Sequence, residues 1–377
     1  MNRLRIKAVI RKEFYHLIRD YRSLYLAFII PLMLIILFGY ALSLDVDNVE
    51  TVVVDYDRSD GSRDFICKLD ASSYFNISAS LSDTNAATTY LDRDETKVAI
   101  IIPADFTRNI RADRETTLQI LIDGSDPNFA GIIRGYLLAF TEQYNQKLLF
   151  NFLNRQGREE IKPPVNGRSR IWFNEELESR NFIIPGLIAI IIMIVGALLT
   201  SLIIAREYEN GTMETIKSLP VKAGEFLFGK AFPYFIIGLT DVLVAVLLGQ
   251  LLFGVLMKGN FWLLLVASSL YLAVALSLGL LISTATKSQL LANQTAILTT
   301  YLPSLLLSNF VFPVVNMPPF LQLLTYIVPA TYFIDILNGI YLKNMGFDYL
   351  WPSMLILALI SAFFTTVNYI LLKKEGL

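Results

Sequence analysis

The chain has 377 residues, of which 54% are hydrophobic and 17% charged, with a mean hydropathy of +0.51. A soluble domain carries about 25% charged residues, so this composition indicates a membrane protein. A formal net charge of −1 gives no reason to expect nucleic acid. One Cys (Cys67) excludes an intramolecular disulfide or a Cys-rich metal site, and one His (His16) leaves little for histidine-based catalysis.

Residues 2–20 place Leu4, Val9, Ile10, Phe14, Leu17 and Ile18 at helical spacing among basic residues. That pattern fits an amphipathic helix lying in the cytoplasmic interface, and equally a basic flank of the first span. The uncharged run that follows, about 24–44, is long enough to cross a membrane and has no A-x-A-like cleavage site after it. It reads as a retained anchor. Residues 45–180 read as a small α/β domain, with strands at 51–57, 74–80, 97–103 and 117–123 and a long amphipathic helix over about 128–153. The acids of "DGSDPN" (123–128) suggest either a cation site or a turn in which Asp126 caps a helix starting at Pro127; the turn fits better. Trp172 and Phe173, just before the second span, are expected at the membrane interface.

Further spans are predicted at 182–205, 228–256, 261–283, 290–312 and 350–372, the fifth interrupted by Pro303. Residues 313–345, broken by Pro329, Thr331 and Asp335, read as an outer re-entrant pair of half-helices; a full crossing there would make seven spans. Lys and Arg concentrate before the first span, between the second and third (Arg206, Lys217, Lys222, Lys230), at Lys287, and at Lys373 and Lys374. The other side has only Lys258 and Lys343 in its short loops. Both termini are therefore expected in the cytoplasm and residues 45–180 outside it. The fold expected is an α-helical polytopic membrane protein with six transmembrane helices plus an α/β extracytoplasmic domain. Its parts are an interface helix (1–22), a first span (23–44), the outer domain (45–180), and spans two to six (181–377) with a cytoplasmic loop at 206–226.

From Gly224 to Lys230 the chain reads G-x-x-x-x-G-K, the frame of a phosphate-binding loop. The chemistry does not follow the letters. Phe226 and Phe228 fill the loop, Ala231 stands where a magnesium-binding Ser or Thr is needed, and an apolar span follows instead of a helix after a buried strand. The surrounding loop, "AREYENGTMETIKSLPVKAGEFLFGKAFPY" (205–234), is short and charged. It allows a short amphipathic helix over 212–218 ended by Pro220, which suits either a partner-binding surface or an ordinary solvated loop.

Here the chain resembles the ABC-2 type exporter permeases, whose loop pattern is R-E-x-E-x-G-T-x-E followed by Pro and then G-K. Arg206, Glu207, Glu209, Gly211, Thr212, Glu214, Pro220, Gly229 and Lys230 stand at those places. Lys12, Glu13, Arg19, Asp20, Pro31, Phe38, Gly39 and Tyr40 match the family's start, and "NFIIPG" (181–186), "LISTATKSQ" (281–289) and the region Pro303 to Phe333 match further on. Tyr21 departs from the Pro that relatives often have after Arg-Asp. The large outer domain looks most like the YbhS/YhhJ class of bacterial permeases. The resemblance implies a non-enzymatic membrane subunit in a bacterial inner membrane, paired with a second permease copy or paralogue. It implies a separate ABC ATPase subunit that binds ATP and Mg and docks on a coupling helix at Arg206, Glu207, Glu209, Gly211, Thr212, Glu214 and Pro220. Relatives with this outer domain often work with a periplasmic adaptor protein. The implied cargo is amphipathic or lipophilic, moved outward.

Within the spans, Asp241 could touch substrate, couple to a cation or pair with a neighbouring helix. Asn293, Thr300, Ser304 and Ser308 are spaced by seven, four and four, which places them on one helix face, either a pathway lining or a dimer contact. Asp241 also motivates a rival reading as an ion-coupled transporter, and the outer domain a rival reading as an anchored sensor or receptor.

Overall fold

The computed structural model describes residues 2–41, 48–72, 74–112, 114–155, 173 and 178–377. These fall into two units, Met1–Ser43 with Ile171–Leu377, and Leu44–Arg170. The chain opens with helix α1 (Arg3–Arg19), started by the Asn2 side chain, which accepts from the Leu4 N–H, and ended at Asp20. Helix α2 (Tyr21–Ala41) resumes at once along the first apolar run. The last residues expected in that span, 42–44, lie outside the described residues, as does Trp172.

The second unit runs β1 (Val49–Asp55), α3 (Asp60–Asp70), β2 (Phe75–Leu81), α4 (Thr84–Asp92), β3 (Val98–Ile102), α5 (Phe106–Arg111), β4 (Gln119–Ile122) and α6 (Pro127–Arg155). The sheet order is β2-β1-β3-β4, with β1 parallel to both neighbours and β4 antiparallel to β3. Strand β3 is buried along its whole length, as its unbroken "VAIII" demands in a sheet covered on both faces. On one face Phe65 of α3 packs edge-on against Phe106, Phe140 and Tyr144, with Ile133 and Leu137 of α6 beside them. On the other, Ala87 of α4 covers Val52, Val54 and Ala99. Helix α3 leaves Cys67 exposed. The acids of "DGSDPN" serve the turn: Asp126 accepts from the Phe129 N–H at 3.3 Å, and Asp123 accepts from the Ser125 N–H and pairs with Lys97 at 2.9 Å. Ser125 and Lys97 hold the Asp123 carboxyl well below the usual carboxylate range.

The first unit continues with α7 (Arg180–Glu209), α8 (Thr212–Ser218), α9 (Ala223–Phe253), α10 (Phe261–Thr286), α11 (Gln289–Ala296), a π turn (Ile297–Tyr301), α12 (Leu302–Leu306), α13 (Pro319–Thr325), α14 (Pro329–Tyr341) and α15 (Phe347–Lys374). Among the described residues, α7, α9, α10 and α15 are each long and apolar enough to cross a membrane; counting α13 and α14 as one span would make five. Those two are bent by 75° at their junction, where Pro329 begins α14. Helix α9 extends from Ala223, five residues before the predicted span, and stops at Gly254, whose φ of +67° caps it. The run predicted over 290–312 is helical only from Gln289 to Leu306. Pro303 has no N–H to give the preceding turn, and the chain widens into i→i−5 bonding there. Asn309, at φ +65°, then turns the backbone away from the helical path.

Helix α7 is the centre of this unit. In its most apolar 18-residue stretch 78% is buried, against 33% for α9 and 17% for α15, so the latter two are peripheral. Its seam with α10 is made by small residues. A Cβ on Gly196 would come within 2.9 Å of Ala275, and one on Gly279 within 2.5 Å of the Ala197 carbonyl oxygen. Apolar helices in a lipid-like setting associate through such close backbone approach, because hydrophobic burial alone does not favour protein over lipid. The Ser283 hydroxyl continues the seam, accepting from the N–H groups of Ile204 and Ala205 at 3.0 and 2.8 Å.

Two glycine substitutions should therefore act with opposite sign. Gly279→Ala is expected to lower the thermal midpoint of the detergent-solubilised protein, since the new methyl meets backbone. Gly135→Ala, on an open face of α6, should stabilise its unit by about 0.5–1 kcal/mol. Melting followed by circular dichroism would check both.

Candidate functional site

Three buried charges of the first unit, Glu13, Glu207 and Lys230, gather where α1, α7 and α9 meet. Helix α1 reaches α9 closely because residue 229 is glycine: a Cβ there would lie 2.6 Å from Val9 Cγ1 and 3.6 Å from the Ile10 nitrogen. The next residue, Lys230, points into the junction with only 3% of its side chain exposed. Its Nζ lies 2.7 Å from Glu13 Oε2 on α1 and 2.6 Å from Glu207 Oε1 on α7. Lys12 Nζ approaches the same Glu207 oxygen at 3.0 Å from the more exposed side. The Tyr234 hydroxyl donates to Glu13 Oε1 at 3.3 Å, and the Thr212 hydroxyl donates to Glu207. Two carboxylates and two ammoniums thus balance, and hydroxyls engage both acids. A buried charge needs such pairing, since isolated transfer from water costs several kcal/mol per ion.

A second set of ties surrounds this cluster. Arg206 pairs with Asp20, between α1 and α2, at 3.0 Å. Glu209 accepts from the Gln289 backbone and side-chain amides at 2.8 and 2.6 Å, joining α7 to α11. Glu225 accepts from the Asn2 backbone N–H at 2.6 Å and closes the first turn of α9 by accepting from the Lys222 N–H. Glu375 pairs with Lys287 at 2.6 Å and accepts from the Tyr208 hydroxyl. Burial works to raise the Glu375 pKa, but Lys287 and Tyr208 outweigh it and hold the carboxyl below its ordinary value.

Helix α8 sits at the edge of this network. Gly211, at φ +70°, makes the sharp turn out of α7 that a side chain would resist. Met213 and Ile216, three apart, bury one face of α8, while Thr212, Glu214, Thr215 and Ser218 with Leu219 and Pro220 stay exposed. Of the residues expected at a coupling surface, Gly211, Glu214 and Pro220 lie outermost. Arg206, Glu207 and Glu209 turn their side chains to α1, α2, α9 and α11, and the Thr212 hydroxyl turns to Glu207.

The polar residues of the spans separate. Asp241 is 4% exposed, and neither carboxylate oxygen has a hydrogen-bond partner among the described residues. Thr300, Ser304 and Ser308 are buried, whereas Asn293 is exposed. The single face inferred from their spacing does not form, because the π turn between Asn293 and Ser304 breaks the 3.6-residue period and Ser308 lies past the helix end. Sequence reasoning quoted Lys12, Glu13 and Lys230 without joining them, and missed Tyr234 and Gln289. The signal for the cluster was a lysine at the head of an apolar run, which burial would force to find an acid.

Lys230→Met should leave Glu13 and Glu207 buried and facing each other, at a cost of about 3–5 kcal/mol. Glu207 keeps Lys12, so adding Glu13→Gln removes the one carboxylate left without an ammonium and should recover most of that loss. Thermal or denaturant unfolding of the two variants in detergent checks the order.

Comparison with known proteins shows the family. The model of a family described as ABC-2 family transporter protein matches residues 22–370. The chain is 34% identical over 342 residues to the "Probable multidrug ABC transporter permease YbhS" of Escherichia coli (strain K12), covering 90% of this chain and 89% of that one. It is 30% identical over 377 residues to the corresponding YbhR permease of the same organism, covering 98% and 99%. It is 28% identical over 290 residues to the inner membrane transport permease YhhJ, also of Escherichia coli (strain K12), covering 75% of each. A family match over nearly the whole length, with two relatives at 30% identity or more along most of it, is decisive: the chain belongs to the ABC-2 family of transporter proteins.

Proposed function

We propose that this chain is the membrane subunit of an ATP-driven exporter that moves an amphipathic or lipophilic, drug-like compound outward. It would cross the inner membrane six times, counting α2 and the helix from α11 through α12, with both termini in the cytoplasm and residues 45–180 outside. The Lys/Arg bias of the short loops supports that orientation. Power comes from separate ABC ATPase subunits that hold ATP and magnesium, and a second permease copy or paralogue completes the pair. The relatives named as multidrug permeases support the substrate class. A periplasmic adaptor protein is a further expected partner of the outer domain.

The observation that carries this reading is the two-sidedness of α8. Its outer face is open to a partner, while its inner face packs on α7, and the charged end of α7 beside it is fastened to α1, α9 and α11. A push on α8 is thereby shared among several helices and does not stop in a flexible loop. The seven-residue helix is short enough to move as one body.

Purification of the protein with its ATPase tests this directly. The complex is expected to hydrolyse ATP in a vanadate-sensitive manner, and Glu214→Lys with Leu219→Asp should weaken the association about tenfold or more without changing the melting of the permease alone. If the ATPase binds the double variant as tightly as the unaltered chain, α8 is not the docking surface. Export that continues without any ATPase, follows a proton or sodium gradient and is lost in Asp241→Asn would favour the ion-coupled rival.

A further inference from the structure

Helices α9, α10 and α15 line a trough of about 670 Å³ that belongs to none of the contacts described above. Its size is that of a small-molecule site. Phe228, Phe232, Phe235 and Leu276 belong to its apolar wall. Of its polar lining, Asn368 is already used: it donates to the Ser277 carbonyl and accepts from the Thr284 hydroxyl, both at 3.1 Å. With a mostly apolar lining, the trough is suited to an apolar chain. It lies between α9 and α15, the two least buried of the four long apolar helices, so whatever fills it arrives from the surrounding medium.

One end of the trough carries charge. Gly224 and Tyr369 close that end, a Cβ at 224 standing 3.7 Å from the Tyr369 ring. Immediately beyond lie Lys222, the residue that starts α9, and Lys373, one turn past Tyr369 on the same side of α15, with Lys374 next to it. All three are exposed, and none has an acidic partner among the described residues. By contrast, Lys12, Lys217, Lys230 and Lys287 each hold a carboxylate. The N-terminus of the 31-residue α9 adds its positive dipole to the same spot.

We propose that this trough is a binding site for one anionic phospholipid, its acyl chain between α9, α10 and α15 and its phosphate against Lys222 and Lys373. The lipid comes from the leaflet in which α9 begins and α15 ends, the cytoplasmic one if the orientation proposed above holds. Charge complementarity selects this occupant: a neutral apolar compound would fill the wall and leave the three ammoniums unused. Basic side chains at a membrane surface attract anionic headgroups in just this way.

Binding of phosphatidylglycerol and of phosphatidylcholine with the same acyl chains to the full-length, delipidated protein tests the site, by thermal shift and by mass spectrometry of the intact complex. Phosphatidylglycerol should bind roughly tenfold more tightly. The variant Lys222→Ala/Lys373→Ala should bring the two lipids to equal affinity, and Ser361→Trp, which fills the trough, should abolish binding of both. Melting of each variant without added lipid should match the unaltered chain, separating loss of the site from loss of the fold. Equal binding of the two lipids to the unaltered protein, an unchanged preference in the lysine variant, full binding to Ser361→Trp, or the same stabilisation by inorganic phosphate would each overturn the proposal. None of these readouts needs an ATPase or a transported compound, so the lipid site and the exporter reading stand or fall separately.

Discussion

An ammonium group loses its hydration when a helix–helix junction closes over it, and only anions held at contact distance can offset that loss. Lys230 imposes this requirement on the first unit. Because its two acids come from different helices, Glu13 from α1 and Glu207 from α7, satisfying the charge fixes α1, α7 and α9 relative to one another. Replacing the whole cluster with well-packed apolar groups could be equally stable, so the net energy of the pairs is not the point. Their contribution is specificity: other arrangements of the three helices would strand a charge.

The same requirement explains why glycine precedes the lysine. Without the close approach that Gly229 permits against Val9 and Ile10, Glu13 would stand too far from α9 to meet Lys230. The glycine and the lysine together are thus a packing device for the first helix. Farther along the unit, close packing relies on small residues alone, Gly196 and Gly279 between α7 and α10, where no charge is present. One helix, α7, takes part in both kinds of junction, polar at its end and apolar through its middle.

Much of this was readable in the amino-acid sequence, because the lengths of apolar runs and the turn residues that bound them are local properties. The apolar runs, the four strands within about two residues, and the turn at Asp126 all follow from residues close together in the chain. The π turn was not readable: Pro303 marks a disturbance, but whether the helix kinks, ends or widens depends on its neighbours. For that reason the placement of Asn293 with Thr300 and Ser304 failed. The buried cluster was legible only as isolated letters. Glu13 and Lys230 are more than two hundred positions apart, and nothing local in either segment states that they meet. Charged residues in the 205–234 loop likewise look solvated until α1 is laid against them.

The exposed sulfur on α3 has a practical meaning. Cys67 is the chain's only thiol, and it lies on the surface of the sheet-containing unit, away from both hydrophobic faces of that sheet. The protein therefore already carries one spectroscopic address. A maleimide probe placed there reports on a single position in the unaltered sequence, and a charged probe that cannot cross lipid reads which compartment that position occupies.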